Sequence, residues 1–130
     1  MSIARQVWDS LESEFGSALR IVIRYHPSEF ESIGRSDVEA EYSPQEIQSV
    51  VDEVIIDQLS TDKLRTYLNL GDLNSSVRSF ERAWVLLYPD ELDHKSGFVV
   101  SIQRDDPDVS MDAMETIEHY LVEDIEPQLS

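Results

Sequence analysis

The sequence predicts an α+β domain: a mostly antiparallel sheet of four or five strands with helices packed on it, in the order α-β-β-α-α-β-β-β-α. Three observations carry this. Ala83 to Tyr88 is the longest apolar run, and a second β-rich run, Phe98 to Ile102, follows a polar loop ending in Ser96-Gly97. Two such runs separated by turn chemistry predict an antiparallel hairpin at the centre of a sheet. Ser43-Pro44-Gln45-Glu46 joins a capping serine, a first-turn proline and a glutamate three residues on, the marks of a helix start. Ile3, Val7, Leu11 and Phe15 recur every fourth residue, the spacing of one helix face.

Taken in order, the first helix ends at Gly16, a residue suited to a C-terminal cap, with Trp8 beside its apolar stripe as packing. Between Ala18 and Tyr25, Leu19, Ile21 and Ile23 alternate with Arg20 and Arg24, which predicts a strand with one dry face and one wet face. Pro27-Ser28 turns the chain, and Phe30 to Gly34 pairs back as a shorter strand. Asp37 to Tyr42 forms a separate turn before the capped helix. That helix presents Ile47, Val50, Val51, Val54, Ile55 and Leu59 as a wide stripe lying flat on the sheet. Thr61 to Leu70 predicts a short helix with Leu64, Tyr67 and Leu68 inward and Gly71 closing it.

Val77 and Phe80 begin a strand, and Glu81-Arg82 turns it into the central strand 83–88, which Pro89-Asp90 stops. After the strand 98–103, Ser110 caps a last helix; Met114, Ile117, Leu121 and Ile125 are its buried face and Pro127 its end. On the central strand Trp84, Leu86 and Tyr88 point one way and Val85 and Leu87 the other, so both faces need a dry cover. Helices supply one. A second protomer is expected to supply the other, with Trp84, Leu86 and Tyr88 as the interface. No internal repeat and no dividing linker interrupts residues 1–130, which are expected to form a single domain.

The 130 residues suit one domain with one core. Twenty-seven acids against 10 bases leave a formal charge of −17, and Lys63 and Lys95 are the only lysines. Such an imbalance repels itself at low salt, whereas the Debye length of about 3 Å in molar salt screens most of that repulsion. The acids are spread through every segment, which suggests solvation in brine; an acidic mimic that binds basic partners calls for a block of like charge. The absence of cysteine excludes disulfides, thiolate nucleophiles and zinc–thiolate centres. Met1 to Phe15 carries three acids and no long apolar core, unlike a signal peptide, and no apolar run reaches membrane-spanning length. A cytoplasmic protein without a membrane partner is expected. Nucleic acid is not an expected partner either, since Arg20 and Arg24 are the nearest thing to a basic stripe.

Chemistry-bearing motifs are scarce. The four glycines, at 16, 34, 71 and 97, are too scattered to cradle a phosphate, and no cofactor is expected. The serines include no nucleophile-elbow pattern. His26, His94 and His119 contain no HExxH pair. The run Asp90-Glu91-Leu92-Asp93-His94 gathers carboxylates and an imidazole on one loop, which makes Asp90, Asp93 and His94 candidate ligands for a divalent cation, with His26 as a possible neighbour. The same residues read more simply as a polar hairpin loop in an acid-rich chain. Asp106, Asp108, Ser110 and Asp112 have the alternate spacing of a calcium loop, but Met111 and Ile117 stand where that loop needs glycine and glutamate.

Tyr42-Ser43-Pro44-Gln45-Glu46-Ile47, Gly71-Asp72-Leu73, Val77-Arg78-Ser79-Phe80, Ala83 through Pro89 and Gly97-Phe98-Val99-Val100-Ser101 together resemble a family of small acidic proteins of halophilic archaea with no assigned activity. The resemblance spans roughly residues 18–104 and implies a salt-adapted cytoplasmic domain. It supplies no catalytic or binding residue. The element order is also similar to the roadblock, profilin-like fold, whose members are commonly dimeric scaffolds or regulators of small GTPases. The expected function is therefore a non-catalytic protein-interaction or signalling module, homodimeric through its sheet. The alternative is a small-molecule or divalent-metal-binding protein, or a weak hydrolase, using the Asp90–His94 loop.

Overall fold

In the computed structural model, which describes residues 1–91 and 95–129, the hydrophobic ribbons form one five-stranded antiparallel sheet. Its strands are β1 (Leu19–His26), β2 (Glu29–Gly34), β3 (Ser76–Ser79), β4 (Ala83–Glu91) and β5 (Ser96–Gln103), in the spatial order β2-β1-β5-β4-β3. The helices are α1 (Ile3–Phe15), α2 (Ser36–Glu41), α3 (Pro44–Thr61), α4 (Lys63–Leu68), α5 (Asp112–Tyr120) and α6 (Glu126–Leu129). The α+β class and the predicted element order both hold. The central strand is β5, buried from Ser96 through Ile102, and β4 lies beside it.

Two cores flank the sheet. On one face Ala4, Val7, Trp8 and Leu11 of α1 and Ala113, Met114 and Ile117 of α5 pack on Leu19, Val22, Trp84, Leu86, Phe98 and Val100. On the other, Val38 of α2 and Ile47, Val51 and Val54 of α3 pack on Ile21, Ile23, Tyr25, Leu87 and Val99. Helices over both faces of the inner strands remove the need for a partner against them. Trp84, Leu86 and Tyr88 are 6, 0 and 5% exposed. The expected interface through these three side chains is thereby corrected: they are core beneath α1 and α5.

Two bulges set what the faces display. Leu19 pairs with Ile102 and Ile21 with Ser101, so Arg20 is an extra residue in β1. The shift sends Leu19 to the α1 side and Ile21 to the α3 side, and both faces of β1 are dry where one wet face was expected. In β4, Pro89 pairs with Gly97 and Glu91 with Ser96, leaving Asp90 as the extra residue. A bulge tolerates the missing proline N–H, so the strand runs past the expected stop.

The start of α3 is signalled as read, whereas the expected cap of the last helix, Ser110, gives way to Met111, which makes no side-chain cap bond. Ser43 Oγ accepts the Glu46 N–H at 3.1 Å while Glu46 Oε1 accepts the Ser43 N–H at 3.1 Å, a closed capping box. Pro127, expected to end the last helix, lies instead in the first turn of α6, after a wider π turn over Leu121–Ile125. Among the described residues no helix is long and apolar enough to cross a membrane.

Candidate functional site

The hairpin loop proposed for a cation contributes one described residue. At its bulge Asp90 receives Arg24 Nη1 at 2.6 Å on Oδ2 and the Ser96 hydroxyl at 2.6 Å on Oδ1. Arg24 also donates to the Gly97 carbonyl at 3.3 Å and lies 4.8 Å over the Phe98 ring. The two charged side chains are only 12 and 6% exposed, so the pair clamps β1 to the hairpin end out of water. A carboxylate satisfied by a guanidinium and a hydroxyl has little left to offer a cation. Asp93 and His94 lie outside the described residues. Among the described residues no group of three or more histidine, aspartate or glutamate side chains converges as a metal site. His26 lines a small concavity of about 270 Å³ with Arg24, Glu29, Phe30 and Glu31.

The opposite face holds a larger opening that the sequence reading did not anticipate. Helix α3 buries Ile47, Val51, Val54 and Gln58 along one line, while Val50, expected in that stripe, is 41% exposed. Beside it β3 and the Val85 end of β4 are only partly covered. The result is a cleft of about 710 Å³, within the range of small-molecule sites, roughly 300–1,000 Å³. Val85 and Leu87 of β4 and Ser101 of β5 contribute to its sheet side, and Val50 and Val54 to its helix side. Tyr42 and Phe80, 40 and 58% exposed, border it.

Charge in this cleft departs from that of the chain. Arg20, Arg78 and Arg82 line it with Glu53 and Asp57, three cations against two anions, a local +1 on a protein of −17. Arg78 is tied to Asp57, an ion pair that joins β3 to α3. Arg20 and Arg82 are in none of the ion pairs among the described residues, and Arg20 differs further in that its Nε is buried and has no hydrogen-bond partner. A buried donor left unmade costs about 1–3 kcal/mol. The bulge puts Arg20 here. An arginine in a strand gave no sign of that, though an apolar stripe on α3 wider than the sheet needs was a signal that part of it bordered something else.

A third feature lies on α4. Leu64, Tyr67 and Leu68 were expected to point inward; they are 52, 80 and 56% exposed, and Leu70 is 75% exposed. The helix is closed by Asn69 in the left-handed region at φ 51°, ahead of the expected Gly71. Arg65 pins it, donating to Asp62 at 3.1 Å and to Asp72 at 2.8 Å. The hydrogen bond to Asp72, with the charge of Asp62 behind it, raises the Arg65 pKa further above its ordinary value.

The sequence profile of a domain of unknown function (DUF7522) matches residues 5–122. No curated protein matches the chain.

Proposed function

We propose, for a chain that belongs to the family of the domain of unknown function DUF7522, a non-catalytic protein-interaction role in which two copies meet through the apolar side of α4. The exposure of Leu64, Tyr67, Leu68 and Leu70 within seven consecutive residues carries this reading. Contiguous apolar surface on a soluble domain marks a contact site. Segment 59–72 holds Lys63 and Arg65 against Asp62 and Asp72, a net charge of zero, so the whole excess of −17 lies on the remainder of the chain. Contact between two such segments brings together the part of each molecule that adds least to mutual repulsion, while the acidic remainder stays solvated. The spread of the acids supports a salt-rich cytoplasm as the working environment, and the likeness of the element order to dimeric roadblock, profilin-like scaffolds supports a binding role by analogy.

Gel filtration with light scattering tests the proposal in about 2 M and about 0.2 M KCl, where screening differs severalfold. A dimer is expected at the higher salt, with dissociation toward monomer at the lower. The double variant Tyr67→Ser/Leu68→Ser is expected to be monomeric at both, with a melting temperature close to that of the dissociated parent because neither side chain is in a core. A wild-type chain that stays monomeric at every salt and protein concentration sinks the idea.

A further inference from the structure

We infer that the cleft between α3 and the β3–β4 end of the sheet binds a small amphipathic carboxylate, with the carboxylate on Arg20 and the aliphatic or aromatic body against Val50, Val54 and Val85. This goes beyond the interaction role and uses a different surface. Three observations support it: the apolar lining, the local excess of positive charge, and a guanidinium whose Nε is buried without a partner. A planar guanidinium matches a carboxylate through paired N–H donors, and a partly desolvated site strengthens that pairing.

The charge count selects the ligand further. Asp57 occupies Arg78 and Glu53 stands near the mouth, so the site offers about one uncompensated positive charge. That suits a monoanion; a phosphate ester with nearly two negative charges at neutral pH would exceed the single net positive charge that Arg20 and Arg82 leave over Glu53. The Ser101 hydroxyl supplies a polar group among the apolar residues for the other carboxylate oxygen or for a substituent. The volume holds a small molecule with room to spare.

Octanoate, with octanol as its uncharged counterpart, is the probe. Backbone amide shifts are followed by NMR in about 1 M KCl, where non-specific attraction is screened. Saturable shifts are expected at Val50, Val54, Phe80, Val85 and Ser101. Octanol is expected to bind about tenfold or more weakly, the factor carried by one charge-assisted hydrogen bond. Arg20→Met is expected to weaken octanoate by a similar factor and to leave octanol unchanged. Because Arg20 sits at a bulge and its replacement can disturb folding, Val50→Glu, at an exposed helix position, is the second variant; its added carboxylate at the mouth should abolish octanoate binding. Equal affinity for octanoate and octanol, shifts that never saturate or lie outside the cleft, or wild-type binding by folded Val50→Glu would each overturn the assignment.

Discussion

Tyr25 and Tyr88 lie on opposite faces of the sheet, each in its own core, and both bury a titratable hydroxyl. Tyr25 is fully buried, with Gln58 Nε2 donating to its oxygen; burial pushes the phenol well above its ordinary pKa, and the Gln58 hydrogen bond offsets only part of that. Tyr88 is raised as well, first by burial and then by donating its O–H to Glu126 Oε2 at 2.8 Å, where a phenolate would face a carboxylate. In the unfolded chain a tyrosine titrates near pH 10. Below that pH both states hold the proton and stability does not change on this account. As pH rises through about 10, the unfolded chain releases protons that the folded protein retains, so stability falls with increasing pH. Urea unfolding from about pH 8 to 11, in molar salt to screen the acidic surface, should show that decline. Phenolate absorbance from Tyr25 and Tyr88 should emerge only with unfolding, and Tyr88→Phe should flatten the slope. Ionisation of all five tyrosines while the circular dichroism remains native would show that these hydroxyls are not sequestered.

The hairpin of β4 and β5 depends on one absent side chain. Gly97 pairs with Pro89 on one side and Tyr25 on the other. A Cβ at this position would collide with the Tyr88 carbonyl and lie 2.8 Å from the Tyr25 hydroxyl and 3.0 Å from the Pro89 Cα. Gly97→Ala is therefore expected to destabilise the protein by about 3 kcal/mol, the upper range of overpacking, read as a lower denaturation midpoint. A midpoint within error of the parent would mean the hairpin end is looser than these contacts require. The element scale also separates what sequence can reveal from what it cannot. The capping box at Ser43 and Glu46 is complete within one turn, so four residues sufficed to place α3. The buried face Met114, Ile117, Leu121 and Ile125 follows helical periodicity and was equally legible. The bulges at Arg20 and Asp90 were not, because register is settled by pairing with β5, a partner distant in sequence. Helix α4 shows another limit: six residues have an apolar side whichever way the helix is turned, and Leu64, Tyr67 and Leu68 turned outward. The candidate cleft belongs with these failures. It exists because α3 covers β3 and the Val85 end of β4 only in part, a matter of packing between elements. Asp90 could be singled out from its loop, while Arg24, the partner that occupies it, could not.

At the scale of the whole molecule the dominant quantity is charge. Ion pairs among the described residues engage Asp9, Asp37, Asp57, Asp62, Asp72 and Asp90, six of 27 acids, and none is a glutamate. Only the Arg24–Asp90 pair is largely shielded from water; exposed pairs such as Arg5–Asp9 contribute little, about 0–1 kcal/mol each, and less as salt rises. Two opposing salt effects can therefore be weighed. Screening weakens a handful of exposed attractions, and it also weakens repulsion among the more numerous carboxylates that, among the described residues, are in no ion pair. Repulsion is the larger sum on a chain of −17, so added salt should stabilise. The melting temperature is expected to climb between about 0.1 and 1 M KCl, as the Debye length shortens from about 10 to 3 Å. Below about 0.3 M, potassium chloride and sodium perchlorate should act alike, because screening depends on ionic strength and not on ion identity; they should diverge at higher concentration, where ion-specific effects on apolar hydration enter. The α4 double variant separates folding from assembly, since a monomer should retain the same rise with its dependence on protein concentration removed. A melting temperature that is flat or falling across this interval would mean that the carboxylates do not oppose the fold, and the salt-adapted reading of the surface would lose its physical basis.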